Sequence, residues 1–269
     1  MYLAVDIGGT KTLLAAFSAD GQVVARHKFL TPADYNEFVQ LFASEIKKLG
    51  QHPFKQGVMA VPGRLDRELG VAIAFGNRPW ENVPIVHDFQ PLLPCPVRIE
   101  NDAKLAGLSE ALLIINEFKK VLYVTISTGI GSALIINGKI DINSQDSEGG
   151  QLLLEHNGKL MDWEDFGSGR AFKEKFGLPV GEITDPEAFY YIARNIAIGL
   201  IDLIATYTPE VIILGGGVGA HLEKFQDRLE EELKIFANPL FAMPALRKAQ
   251  RAEDAVIYGC YELAKEKNA

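Results

Sequence analysis

The sequence predicts an α/β fold on three observations. Apolar segments of strand length alternate with segments whose apolar residues recur at helical spacing. Three of the strands run into glycine-rich turns, at Gly8-Gly9, at Ser127-Thr128-Gly129-Ile130-Gly131 and at Gly215-Gly216-Gly217-Val218-Gly219. The second of these repeats the grammar of the first: apolar strand, hydroxyl-and-glycine turn, apolar strand. Such a repeat predicts two similar lobes facing one ligand. The chain has 269 residues, enough for one large domain or two of ordinary size. The repeat offset puts a boundary soon after residue 102, giving a first lobe over 1–104, a second over 105–253, and a terminal helix within 254–269 that rejoins the first.

The elements follow in order. Residues 3–7 read as a buried strand and 12–17 as its partner. Asp20-Gly21 is a hairpin signal leading to a strand over 22–29. Thr31-Pro32 opens a helix with proline at its first position. Tyr35, Phe38, Val39, Phe42, Ile46 and Leu49 form its apolar face, and Gly50 stops it. Residues 57–61 form a short strand, 79–96 are proline-rich and irregular, 96–100 are strand and 103–115 are helix. The second lobe opens with the strands flanking the 127–131 turn. Residues 186–207 and 220–236 are long helical patterns around a buried strand at 211–214, and 254–265 form the last helix.

Composition narrows the function classes. A net charge of −8 argues against a nucleic acid or an anionic membrane as partner. No apolar run approaches the roughly 20 residues needed to cross a bilayer. The chain enters a core strand at once, so no signal peptide is predicted. Cys95 and Cys260 form no framework, which sets a reduced, cytoplasmic environment as the expectation. The five histidines, His27, His52, His87, His156 and His221, have no ligand spacing with a cysteine, so no structural zinc is expected. A P-loop sequence is absent, and the glycine run at 215 lacks the features of a dinucleotide fingerprint.

The turns supply the chemistry. Gly8 and Gly9 let backbone N–H groups face an anion, and Thr10 and Lys11 add a hydroxyl and a point charge suited to phosphate oxygens. Asp6, at the strand end, suits the magnesium ion that accompanies a nucleotide. The alternative is a plain hairpin turn, which the second copy at Thr128, Gly129 and Gly131 disfavours. Bare backbone at Gly215, Gly216 and Gly217 lets a base or ribose lie close. Glu100-Asn101-Asp102 sits at a strand-to-helix junction. Asn101 or Asp102 is there either as a helix cap or as working machinery, with Asp102 taking the proton of a hydroxyl that attacks phosphorus and Asn101 holding that alcohol. Glu148 and Glu164, flanked by glycines and aromatic residues, suit sugar hydroxyls or are simply solvated. Asn77-Arg78-Pro79-Trp80 is an ordinary loop or one whose amide orients a polyol.

Together these pieces resemble the ROK family of sugar kinases, within the sugar kinase, heat-shock chaperone and actin fold group, over nearly the whole chain. Asp6 to Lys11 resembles the family's first phosphate loop, Ser127 to Gly131 the second, and Leu214 to Gly217 the adenosine turn. Pro62-Gly63 and Asn77 to Trp80 are similar to the loops that touch the sugar. Asp102 falls on the family's catalytic base. Glu148 and Glu164, the latter six residues before Arg170, fall on its sugar-binding glutamates. The resemblance implies a two-lobed, actin-like (ribonuclease H-like) ATPase fold with nucleotide and sugar in the interlobe cleft. It also implies ATP and Mg2+ as reactants, and a homodimer.

One departure is plain. Most members carry a histidine after the first of these glutamates, and then three cysteines that bind zinc. Here Gln151 stands at the histidine position and the cysteines are gone. Packing of 152–154, Met161 and Trp163 is expected to order that loop instead. The implied reaction is ATP-dependent phosphorylation of a hexose at its 6-hydroxyl, with glucose first and an N-acetylhexosamine, fructose or a β-glucoside as alternatives. Readings of another class are a non-catalytic sugar- or nucleotide-binding protein and an actin-like polymer. A sugar-sensing repressor needs an N-terminal helix-turn-helix, for which the position of Asp6 leaves no room.

Overall fold

The structure, a computed structural model, describes residues 1–76 and 78–266. It divides into two compact units, Met1–Ser109 with Asp254–Ala269, and Glu110–Glu253.

The first unit is built on a five-stranded sheet. Its strands are β1 (Tyr2–Ile7), β2 (Lys11–Phe17), β3 (Val23–Leu30) and β4 (Gln56–Val61), and the sheet is completed by a fifth strand, Val97–Asn101. β1 pairs antiparallel with β2 and parallel with β4, which in turn pairs parallel with Val97–Asn101. Alternation along β1 sends Leu3, Val5 and Ile7 into one core, with Phe38 and Phe42 of helix α1 (Tyr35–Glu45). Ala4 faces the other core, with Leu105 and the C-terminal helix Ala255–Lys265. Gly259 is glycine because a Cβ would collide with the Leu105 carbonyl. Between β4 and the fifth strand lie a small sheet of β5 (Gly63–Asp66), β6 (Val71–Phe75) and β7 (Glu81–Val83), and helix α2 (Ile85–Phe89). The fifth strand is therefore β8, and it runs directly into helix α3 (Asp102–Leu113).

The second unit repeats the scheme. β9 (Lys120–Ile126) and β10 (Ile130–Ile136) form the glycine-turn hairpin, with β11 (Lys139–Ile140) beyond it. A hairpin of β12 (Leu153–His156) and β13 (Lys159–Asp162) leads to helices α4 (Trp163–Gly167), α5 (Gly169–Phe176) and α6 (Pro186–Tyr207). β14 (Val211–Gly215) pairs parallel with β9 and with β15 (Ala245–Lys248). Between β14 and β15 come the single turn α7 (Gly216–Gly219) and helix α8 (Gln226–Ile235).

Several expectations are corrected. Pro32 does not open α1: Thr31 is taken up by the glycine turn, and Asp34 caps the helix through Glu37 N at 2.9 Å. The stretch over 79–96 is not irregular, since it holds β7 and α2. The pattern over 220–236 is not one helix. Leu222 and Phe225 are buried three residues apart in a short 3-10 turn, and Phe225 leaves helical dihedrals (φ −138°, ψ 8°) before α8 starts. Helix α6 has 22 residues and is long and apolar enough to cross a bilayer by length and composition, although Glu187, Arg194 and Asp202 interrupt its apolar residues, so the expectation of no continuous apolar run of that length is not overturned. It is a core helix, with Ile192, Ile196, Leu200 and Ile204 fully buried in its unit.

The loop expected to order by packing is the β12–β13 hairpin. Asn157 (φ 52°) and Gly158 (φ 79°) make its left-handed two-residue turn. Leu152, Leu154 and Met161 pack on the core, and the His156 ring stacks on Phe166 at 4.3 Å. Trp163 is fully buried and donates to the Asn195 carbonyl at 2.9 Å. Leu153 departs from the expectation: strand alternation turns it outward, 62% exposed.

Candidate active site

In the first unit, the sheet register puts Asp6 level with Ala60, and Ala60 level with Glu100, at the carboxyl ends of parallel strands. Ligand sites of open α/β sheets lie at such ends because turns there expose backbone donors without breaking the core. Asp6 is half-buried, and its pKa is raised to about 7. Burial is the main cause and the Asp102 charge the next, with Lys28 acting in the opposite direction.

The first glycine turn closes with Gly8 N donating to the Lys11 carbonyl at 3.0 Å. Thr31 fixes its shape. Its hydroxyl donates to the Gly8 carbonyl at 2.9 Å, its N–H to the Thr10 carbonyl at 3.0 Å, and its Oγ1 shares a 2.9 Å hydrogen bond with Thr12. Gly9 is partly open, while Thr10 and Lys11 are exposed. Among the described residues no hydrogen bond or ion pair engages either of those two side chains, so hydroxyl and ammonium are both available to an anion. The same segment anchors the 78–80 loop: Arg78 donates to the Thr31 carbonyl and the Trp80 indole to that of Ala33. Asn77 itself lies outside the described residues.

The Glu100-Asn101-Asp102 trio divides its labour. Glu100 is buried and takes a bidentate ion pair from Arg67, at 3.0 Å and 2.6 Å to Oε1 and 3.0 Å to Oε2, as well as the Asn101 N–H. Asn101 caps α3, its Oδ1 accepting from Ala103 N and Lys104 N, and its Nδ2 donates to the Gly63 carbonyl at 3.1 Å. Among the described residues one Nδ2 hydrogen of Asn101 has no partner, so it can serve a ligand. Gly63 is held at φ 94°, where a Cβ would strike the Ala74 carbonyl, so its carbonyl direction is fixed. Asp102 Oδ1 accepts from Ala103 N at 2.8 Å. No hydrogen bond occupies its Oδ2 among the described residues. Burial raises the Asp102 pKa, against the backbone bond and the nearby buried Lys104, which lower it.

In the second unit, the turn closes with Ser127 N on the Gly129 carbonyl at 2.9 Å, and Gly169 N on the Ser127 carbonyl at 2.7 Å. Thr128 is exposed and Gly131 pairs with Thr125. Glu164 lies against this turn. Its Oε2 accepts from Ile130 N at 3.2 Å and its Oε1 from Gln151 Nε2 at 3.0 Å. Glu148 is exposed at the start of the Gly149-Gly150 turn. Gly215 pairs with Thr125, which sets the third glycine turn beside the second. Gly216 (φ 74°) cannot carry a Cβ, which would meet the Ile126 carbonyl at 2.5 Å, whereas a Cβ on Gly217 would meet nothing within 4 Å. Gly217, Ser127, Thr128, Arg170, Lys173 and His221 line a cavity of about 1000 Å³. Its size fits a nucleotide, and bare backbone at Gly217 beside exposed hydroxyl and cationic side chains fits ribose and phosphate. Lys173 and His221 escaped the sequence reading because no local spacing links them to residue 128; only the fold does.

The family model for ROK matches residues 2–267. The chain belongs to the ROK family. An N-acetyl-D-glucosamine kinase of Haemophilus influenzae (strain 86-028NP) is 26% identical over 98% of this chain and 99% of its own. Among solved structures, a ROK hexokinase from Thermus thermophilus superposes with a TM-score of 0.79 at 26% identity, covering 98% of this chain and 97% of that one. A ROK family glucokinase from Streptomyces griseus, solved with glucose and AMPPNP, superposes with a TM-score of 0.83 at 22% identity over 99% of both chains. The fold is the two-lobed, actin-like one of ROK sugar kinases. As a ROK enzyme the chain is an ATP-dependent sugar phosphotransferase.

Proposed function

We propose that this ROK kinase transfers the γ-phosphoryl group of Mg-ATP to the primary 6-hydroxyl of a hexose, with glucose as first acceptor, and that Asp102 is the base. The observation carrying the base assignment is the contrast within the trio: Glu100 is saturated by Arg67, whereas Asp102 keeps one oxygen open and has a raised pKa. A carboxylate whose pKa burial raises takes a proton more readily once the alcohol is held, and a positioned base of this kind contributes about 10²- to 10⁴-fold. Asn101, through its remaining N–H, and the Gly63 loop orient the acceptor. Glu148 and Glu164 accept from the other sugar hydroxyls, and Asn77 joins them.

The nucleotide occupies the cavity beside Thr128 and Gly217, where the turn at Thr128 to Gly131 donates to phosphate oxygens. In the first unit the turn at Gly8, Gly9, Thr10 and Lys11 is read as a phosphate turn too, with the exposed Thr10 hydroxyl and Lys11 ammonium as its donors. Magnesium, when bound, neutralises phosphate charge, and Asp6 is the carboxylate suited to it directly or through water. Water is a competing acceptor, so holding the alcohol in place decides the outcome. N-acetylglucosamine is the second reading for the acceptor, favoured by the Haemophilus influenzae relative. We place the enzyme in the cytoplasm and expect a homodimer, which sedimentation would test.

The deciding experiment is ADP release from Mg-ATP across glucose, mannose, fructose, N-acetylglucosamine, N-acetylmannosamine and cellobiose. Strong turnover on one of them identifies the acceptor. Turnover on none of them, with nucleotide bound, overturns the hexokinase reading.

A further inference from the structure

Glu164 stands on the sugar side of the site by resemblance, yet its carboxylate is engaged elsewhere. Oε2 receives the backbone N–H of Ile130, inside the second phosphate turn, and Oε1 receives the amide of Gln151. Two glycines make room for it. A Cβ on Gly129 would sit 2.6 Å from Glu164 Oε2, and one on Gly150 would sit 3.2 Å from the same oxygen and collide with the Ile130 carbonyl. The carboxylate thus fills the hollow that the absent side chains of Gly129 and Gly150 leave. It ties the turn to the 149–151 segment on one side and to the start of α4 on the other.

We infer that Glu164, oriented by Gln151, is a positioning residue for the second phosphate turn, so that nucleotide affinity depends on it whether or not a sugar is bound. The physical reason is the backbone of the turn. Ser127 N closes on the Gly129 carbonyl, and the Ile130 N–H, on the edge turned away from Ile126, ends on Glu164. A charge-assisted acceptor there fixes the peptide plane between Gly129 and Ile130, and with it the direction of the neighbouring N–H groups that face phosphate. Gln151 contributes by removing the freedom of the carboxylate to rotate away. A carboxylate has about four acceptor positions and these two bonds use two, so contact with a sugar hydroxyl stays open as well.

This inference rests on the reading of 127–131 as a phosphate turn, and the test separates the two. Calorimetric titration with Mg-AMPPNP, with no sugar present, is made on the wild type and on Glu164→Ala, Glu164→Gln and Gln151→Ala. Glu164→Gln can keep both bonds, its carbonyl accepting from Ile130 N and its amide donating to a flipped Gln151. The expected result is nucleotide affinity about tenfold weaker for Glu164→Ala, about threefold weaker for Gln151→Ala, and within twofold of wild type for Glu164→Gln. The KM for sugar should rise in Glu164→Gln all the same, because its charge is gone. Gln151 is exposed, so its variant carries the test even where Glu164→Ala folds poorly. Unchanged nucleotide affinity in both alanine variants, with only sugar KM raised, overturns the positioning role. Failure of the wild type to bind the nucleotide overturns the phosphate-turn reading, and this inference with it.

Discussion

Replacing Arg67 with methionine isolates the contribution of the ion pair behind the Glu100-Asn101-Asp102 trio. Glu100 is 6% exposed, and Arg67 supplies three of its hydrogen bonds. Met fills much of the aliphatic volume of arginine but leaves the carboxylate buried with the Asn101 N–H as its remaining donor in this group. Removing one partner of a buried pair costs about 3–5 kcal/mol, most of it the desolvation of the charge left behind. An unfolding entropy of about 2.1 cal/mol/K per residue over 269 residues gives roughly 0.56 kcal/mol/K. The expected fall in Tm is therefore roughly 5–9 °C. Because Glu100 also holds the backbone that aims Asp102, kcat should fall about tenfold while KM for ATP stays near wild type. Differential scanning calorimetry and a coupled ADP assay read the two effects. A double variant, Arg67→Met with Glu100→Gln, removes the stranded charge and should recover at least half of the lost Tm. The reasoning fails if Arg67→Met melts within 1 °C of wild type, or if the double variant is less stable than the single one.

Three further outcomes follow from the geometry. Asp102→Asn keeps the shape of the α3 start and should lower kcat by about 10²- to 10⁴-fold with sugar KM within a few-fold, measured by steady-state kinetics. Asp6 has a folded pKa of about 7 against 3.8. Its neutral form is favoured in the folded state, so the stability it permits is full below pH 4 and is lost as pH rises to 7. Asp6→Asn should accordingly melt higher than wild type at pH 8 and alike at pH 4, by a few kcal/mol at most, while losing Mg-ATP turnover; equal Tm differences at both pH values refute the burial argument. Gly216→Ala should destabilise by about 2 kcal/mol or more, since its Cβ meets backbone at positive φ, whereas Gly217→Ala should leave Tm within 1 °C and raise KM for ATP, as its Cβ enters the cavity.

The sequence made the strands at 3–7, 12–17 and 211–214 legible because their apolar runs end in glycine turns, and α6 because Asp185-Pro186 is a start signal on a long periodic segment. It misplaced the start of α1, where the cap three residues before Glu37 outweighed the proline at 32. The break at Phe225 was hidden because a 3-10 turn and an α-helix both bury residues three apart. Asn157-Gly158 was a readable hairpin signal for the loop at the zinc position. In the site, the three turns and the Asp102 junction could be read locally. The saturation of Glu100 by Arg67, the cap made by Asn101 and the lodging of Glu164 against Ile130 could not, because each joins residues that only tertiary structure brings into contact.

The clamp that Thr31 places on the first glycine turn is made wholly of neutral groups: two hydroxyls, an amide and two carbonyls. The turn's positive charge sits apart from it, on exposed Lys11. Shape and attraction are thus written in different residues. Added salt screens the ammonium and weakens anion capture, yet leaves the amide cradle in register, because neutral hydrogen bonds do not feel ionic strength in the same way. Under the proposed reading of this turn as a phosphate turn, an engineer, or selection, can therefore retune the strength of capture at position 11 alone, without having to rebuild the cradle.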